Sequence, residues 1–251
     1  MIYHILNGDS LAHSFPATSI KGELIVDREA LIEGDLQGME LLDFWKARAT
    51  YLGITSAEYY EKVVAEFDKI MVAPEGTEFN LWFEYDLFCQ VNMWFVLSLI
   101  AVLPIKRKVY AVYSSFLSRE DKNFWNAFGP ATSDQLIQSF NDRILLTETD
   151  IQLGQQLWNA YKNSNFTELK SLSKNQTDAF PYLKEVIEAH IDRFPKEGEK
   201  GRPEKVLEEI INTHPVDFQT VFQEFWKRES IYGFGDIQLK HLYDKVLKTS
   251  F

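Results

Sequence analysis

This sequence predicts an α/β fold: a mainly parallel, Rossmann-like sheet flanked by helices, followed by a small, mostly helical domain. Three observations predict it. The short apolar runs "IYHILN", "GELIVD", "EFNLWFE" and "KVYAVYSS" alternate with segments of helical spacing, the signature of strands joined by helical crossovers. The 251 residues are enough to bury a sizeable core. Beyond Phe180 no strand-like run remains. The expected boundaries are 1–162 for the α/β domain, 163–179 for a polar linker and 180–251 for the helical domain.

The elements follow in order. "IYHILN" reads as a buried strand and "SLAHSF" as the start of a helical return. "GELIVD" is a second strand, followed by the polar loop "REALIEGDLQG". Leu41, Leu42, Trp45 and Ala49 recur at helical spacing in "MELLDFWKARATYL". Thr55 and Glu58 stand three apart at the head of "TSAEYYEKVVAEFDKIM", the spacing of a capping box. "EFNLWFE" is a third strand, and Asp86 opens the apolar segment "LFCQVNMWFVLSLIAVLPI". That segment approaches the ~20 residues needed to cross a bilayer. Gln90, Asn92 and Ser98 interrupt it, and polar groups are costly in lipid, so it reads as a helix buried inside the protein and ended by Pro104. "KVYAVYSS" is a fourth strand, and "SDQLIQSFNDR" and "TETDIQLGQQLWNAYKN" are helices. After the linker come "FPYLKEVIEAHIDRF", "RPEKVLEEIINT", "DFQTVFQEFWKRES", a Gly-rich "IYGFGD" turn and a last helix, "IQLKHLYDKVL". Three helices, a turn and a final helix suggest a winged-helix-like unit.

Composition excludes several functions. A formal net charge of −11 repels phosphate backbones, and residues 181–251 hold 11 Lys+Arg against 13 Asp+Glu, which argues against nucleic acid as a partner. The single cysteine, Cys89, rules out an intramolecular disulfide and a cysteine-based zinc cluster; in its apolar setting it reads as a small hydrophobe. No basic-then-apolar leader pattern opens the sequence, and the expected location is cytoplasmic.

Parallel sheets bind ligands beyond the carboxyl ends of their strands, and three strand-to-helix loops here are polar. Asn7, Gly8, Asp9 and Ser10 follow the first strand, Arg28 and Glu29 the second, and Glu84 and Asp86 the third. Gln90 lies four residues after Asp86 and shares its helix face; a buried amide needs partners. The expected ligand cluster is therefore Asp9, Ser10, Arg28, Glu29, Glu84, Asp86 and Gln90, supported by His4, Asn7 and Gly8. Each has a structural alternative: Asp9, Ser10 and Asp86 as helix caps, Arg28 as a neutralising partner for Glu29 or Glu84, His4 as a satisfied core histidine.

"GDSL" after a strand resembles the first block of the GDSL serine hydrolases. That chemistry needs a base and oxyanion donors, which the family supplies through Gly-x-Asn-Asp and Asp-x-x-His blocks. Here "SFND" lacks the glycine, and no histidine among His13, His190, His214 and His241 has Asp three residues before it. Ser10 thus reads as a binding or capping residue. No metal-ligand spacing and no phosphate-loop pattern appears, so no metal or cofactor is assigned.

"HILNGDSL", "REALIEGD" and "LWFEYDLFCQVNMWFVL" together resemble the bacterial family known only as domain of unknown function 1835, over roughly residues 1–160. The C-terminal "GFGD" region resembles its usual companion domain. The family's second block often runs Glu-Gly-Pro, whereas Asp35 follows Glu33 and Gly34 here. The resemblance implies no activity, but it groups His4, Asp9, Ser10, Arg28, Glu29, Glu84, Asp86 and Gln90 in one recurring pattern. The leading functional expectation is a protein whose crevice binds a small anionic or nucleotide-like ligand, with or without catalysis. The alternative is a regulatory or adaptor protein whose C-terminal helices engage a protein partner.

Overall fold

The computed structural model describes residues 1–195, 198–213 and 217–249; His214 lies outside them. The fold is α/β. β1 (Ile2–Asn7) leads into α1 (Asp9–Ser14), β2 (Glu23–Asp27) and α2 (Leu41–Leu52). A continuous helical stretch follows: α3 (Ser56–Tyr59), a π-helical turn (Tyr60–Val64) and α4 (Ala65–Met71). It opens with the expected capping box, in which Thr55 and Glu58 satisfy each other's backbone N–H groups. Next come β3 (Thr77–Trp82), α5 (Leu87–Ala101), β4 (Arg107–Val112), α6 (Ser133–Asn141), β5 (Ile144–Leu145) and α7 (Glu148–Lys162). The remaining helices are α8 (Phe166–Leu172), α9 (Leu183–Asp192), α10 (Arg202–Thr213), α11 (Phe218–Glu229), a 3-10 turn (Ser230–Tyr232) and α12 (Asp236–Thr249).

The sheet order is β2-β1-β3-β4-β5. β1 to β4 run parallel, with Ile5 beside both Ile25 and Leu81. β5 is antiparallel to β4 and only two residues long. Alternation along the strands separates two apolar layers. Leu6, Trp82 and Val112 face α1 and α6 with Leu11, Phe15 and Leu136. Tyr3, Ile5, Ile25, Phe79 and Leu81 face α5.

Helix α5 is where the C-terminal helices pack against the α/β layers. Asp86 caps it, its carboxylate accepting from the Cys89 N–H at 3.0 Å. Twelve of its 15 residues are buried, because the sheet covers one side while α7, α9 and the 3-10 turn pack on others. Each large apolar side chain buried this way stabilises the fold by about 1.5–3 kcal/mol relative to exposure. Segment 163–179 contains α8, whose Leu169 and Leu172 join that core. No helix among the described residues is long and apolar enough to cross a membrane.

Candidate functional site

The strand order reverses between β1 and β3, the point at which a parallel sheet opens a crevice at its carboxyl edge. A cleft of about 380 Å³ lies there, lined by Asn7, Ser10, Trp82, Glu84, Asn123, Asn126, Phe128 and Trp226. Trp226 comes from α11, so the helical region supplies part of the wall.

Beneath the cleft runs a chain of polar groups. The Asn7 amide donates to Cys89 Sγ at 3.0 Å, and its oxygen accepts from Asn92 Nδ2 at 2.9 Å. Asn92 also donates to the Glu29 carbonyl at 2.8 Å, tying the end of β1 to the loop after β2. Asp86 receives the Asn126 amide at 3.1 Å through its second oxygen. Glu84 accepts the Phe128 N–H at 2.6 Å, and the Cys89 thiol lies 3.7 Å from its other oxygen. Burial, reinforced by the charge of Asp86, pushes the Glu84 carboxyl well above the usual carboxylate range. Burial also raises Asp86, against the opposing pull of the Cys89 N–H, and burial with both neighbouring carboxylates raises the Cys89 thiol.

Glu84, Asp86 and Cys89 bring three potential metal-ligand atoms within 4.8 Å of one another. Each already has a hydrogen-bonding role, and these contacts account for the cluster without an ion. What the arrangement offers a ligand is a hydroxyl, three amides and a carboxyl group that tends to hold its proton, beside the Trp226 indole, with the buried Trp82 beneath.

The other expected site residues are dispersed. Asp9 and Arg28 pair at the rim, with Arg28 Nε 2.9 and 3.0 Å from the two carboxylate oxygens and Nη1 donating to the Lys62 carbonyl at 2.9 Å. The Arg28 hydrogen bond holds Asp9 below its ordinary pKa. An exposed pair like this adds ~0–1 kcal/mol. Glu29 does not reach the cleft: it is fully buried against Arg48, 2.7 Å away, and accepts the Tyr59 hydroxyl. Gln90 faces inward, donating to the Glu84 carbonyl at 2.8 Å and reaching Tyr113. His4 is a satisfied core histidine. Its Nδ1 lies 3.2 Å from Trp82 Nε1, which donates to it, and Nε2 meets the Lys21 carbonyl. It therefore points away from Asp9 and cannot serve Ser10 as a base. Gly8 forms the turn into α1, its N–H donating to the Asp27 carbonyl at 2.8 Å. Arg48, Asn92, Asn126 and Trp226 are the contributors that sequence reasoning leaves out.

Asp27, at the end of β2, carries a consequence for stability. One of its oxygens accepts the Glu29 N–H at 2.9 Å and the other has no partner. Burial pushes its pKa up to about 8. The folded protein therefore keeps a proton that the unfolded chain gives up. This contribution is complete below the unfolded value of 3.8 and is lost as pH rises through about 8. His190, lowered from 6.5 to about 3 by burial and Arg193, acts with the opposite sign below 6.5. Glu84, raised to about 8, and Asp86, raised to about 6, act in the same sense as Asp27, so the net decline should emerge between about pH 6.5 and 8 in urea titrations. Asp27→Asn should flatten it by up to ~1.4 kcal/mol per pH unit; an unchanged slope would show that Asp27 is ionised in the folded state.

The fold and cleft define an α/β protein with a polar recess at its switch point. No family model, curated protein or solved structure matches the chain.

Proposed function

We propose that the cleft between β1 and β3 binds a small, hydroxyl-rich ligand of the nucleoside or sugar class. The observation that carries this reading is the lining itself: Asn7, Ser10, Asn123 and Asn126 beside Glu84 and Trp226, over the buried Trp82, with no lysine or arginine among the described lining residues. Amides and a protonated carboxyl suit hydroxyls and ring nitrogens, and the Trp226 indole suits a flat or apolar face. The absence of a cation in the lining favours the neutral part of a nucleotide-like molecule over its phosphate. Ser10 serves as a hydrogen-bonding residue in this reading. Membership in the domain of unknown function 1835 family is part of the same proposal, carried by the three sequence blocks alone.

A thermal-shift panel of nucleosides and neutral sugars tests it. A ligand at a hundred times its dissociation constant adds ~2.7 kcal/mol, which raises the midpoint of a chain this size by roughly 5–11 °C. That shift should disappear in Asn126→Ala combined with Ser10→Ala. No shift across the panel, with the wild-type fold intact, would sink the reading.

A further inference from the structure

A second recess, about 550 Å³, lies between the loop 31–37 that follows β2, the carboxyl ends of α2 and α7, and helices α9 and α12. It shares no lining residue with the switch-point cleft. Its frame is built before any ligand arrives. Arg48 Nη1 donates to the Glu33 carbonyl at 2.7 Å, and Arg193 Nη2 donates to the Ile32 carbonyl at 2.8 Å. The Tyr161 hydroxyl holds the Leu31 carbonyl at 3.2 Å. Gly34 has φ +86, and a Cβ there would lie 2.5 Å from the Tyr51 ring, so the loop depends on glycine at this point.

Among the described residues, two groups in this frame lack hydrogen-bond partners. His190 is 4% exposed, packed against the rings of Tyr161 and Phe194, and its Nδ1 makes no hydrogen bond. Arg193 Nη1 also has none by distance, although its guanidinium lies over the Phe194 and Phe234 rings and acts on the Tyr161 hydroxyl. Buried polar groups left unpaired in a native fold call for an explanation, and here both belong to residues lining one groove. Lys162 lines it too, its ammonium fixed at the Gly38 carbonyl at 2.8 Å with two further donors. Nearby Ser164 holds φ +51 without being glycine, the kind of backbone conformation that concentrates at functional sites.

We infer that this groove binds the oxyanion head of a small organic ligand, a phosphate or a carboxylate, through Arg193, Lys162 and His190. A planar guanidinium matches either oxyanion, and a neutral imidazole adds a single N–H donor. Glu33 and Asp35 also line the groove; Glu33 accepts the Tyr51 hydroxyl at 3.2 Å with His241 Nδ1 3.6 Å away, and Asp35 accepts the Gln37 N–H at 2.8 Å, so each carboxylate is already partnered within the protein. This inference is independent of the reading of the β1–β3 cleft.

The test is a titration of ¹⁵N-labelled protein with ribose 5-phosphate and, separately, succinate, following the ring nitrogens of His190. The expected result is a saturable shift with a dissociation constant below about 1 mM for at least one probe. Response to ribose 5-phosphate alone assigns a phosphate head, and to succinate alone a carboxylate. Arg193→Gln and, separately, Lys162→Met should each weaken binding by about tenfold or more. Lys162→Met leaves the Arg193–Ile32 contact in place but frees the Gly38 carbonyl, so amide exchange of residues 31–38 in the unliganded variant separates lost binding from a displaced loop. His190 resonances unmoved by either probe at ~10 mM, ten times that limit, would overturn the inference. So would binding that survives both variants unchanged.

Discussion

Glu29→Ala should lower the unfolding free energy by about 3–5 kcal/mol, the cost of leaving one member of a buried ion pair uncompensated. Both side chains of the Glu29–Arg48 pair are completely buried. Arg48 reaches Glu29 through Nε at 3.0 Å and Nη2 at 2.7 Å, while its other donors hold the Ala30 and Glu33 carbonyls. Removing the carboxylate also strands the Tyr59 hydroxyl. Replacing both partners with apolar residues, Glu29→Leu with Arg48→Met, should recover part of the loss, because no uncompensated charge remains while the Tyr59 hydroxyl and the Ala30 and Glu33 carbonyls stay unpaired. Urea unfolding of the two variants and the wild type measures this. A single-variant loss below about 1 kcal/mol would place the pair in the class of solvated surface bridges. The pair also anchors the 31–37 loop, so hydrogen exchange in that loop should rise in Glu29→Ala.

Gly233→Ala should cost about 2–4 kcal/mol, combining a disfavoured backbone conformation with a collision. Gly233 has φ +64, and a Cβ on it would lie 1.9 Å from Asp86 Oδ1 and 3.0 Å from the Phe88 Cβ. The "GFGD" turn is thus pressed onto the N-terminus of α5, where Asp86 caps the helix and binds Asn126. A double-mutant cycle with Asp86→Ala separates the two causes. Removing the carboxylate should make room for the new methyl, and the pair should be less costly than the sum by at least about 0.5 kcal/mol. Strict additivity would mean that the backbone conformation accounts for the whole effect.

Much of the architecture is legible in the sequence because strands β1 to β4 are apolar runs separated by helix-length segments. β5 is not legible: two residues, Ile144 and Leu145, carry no periodicity. The site was only partly readable. Asp86 as a cap, and the polar loop after β1, follow from local chemistry. Glu29 is placed with Glu84 by the rule that strand-end loops converge, yet its partner Arg48 sits on α2, where no local pattern marks it as buried. Asn92 is visible as a polar intruder in α5, but the residue it meets, Asn7, is 85 positions away. Asn126 and Trp226 lie in a loop and a distant helix, and no local pattern announces a contact made only in three dimensions. Cys89 reads as a small hydrophobe; it is buried as that reading requires, yet its sulfur also accepts the Asn7 amide.

That cysteine gives the protein a built-in clock. It is the chain's one thiol, it is 3% exposed, and it sits on a helix enclosed by sheet and helices alike. An aromatic disulfide reagent cannot reach it while α5 stays packed, and the raised thiol pKa slows whatever attack occurs. The rate of modification therefore counts openings of the core rather than accidents of the surface. Any ligand that closes either recess would be read as a slower tick, with no label engineered into the chain.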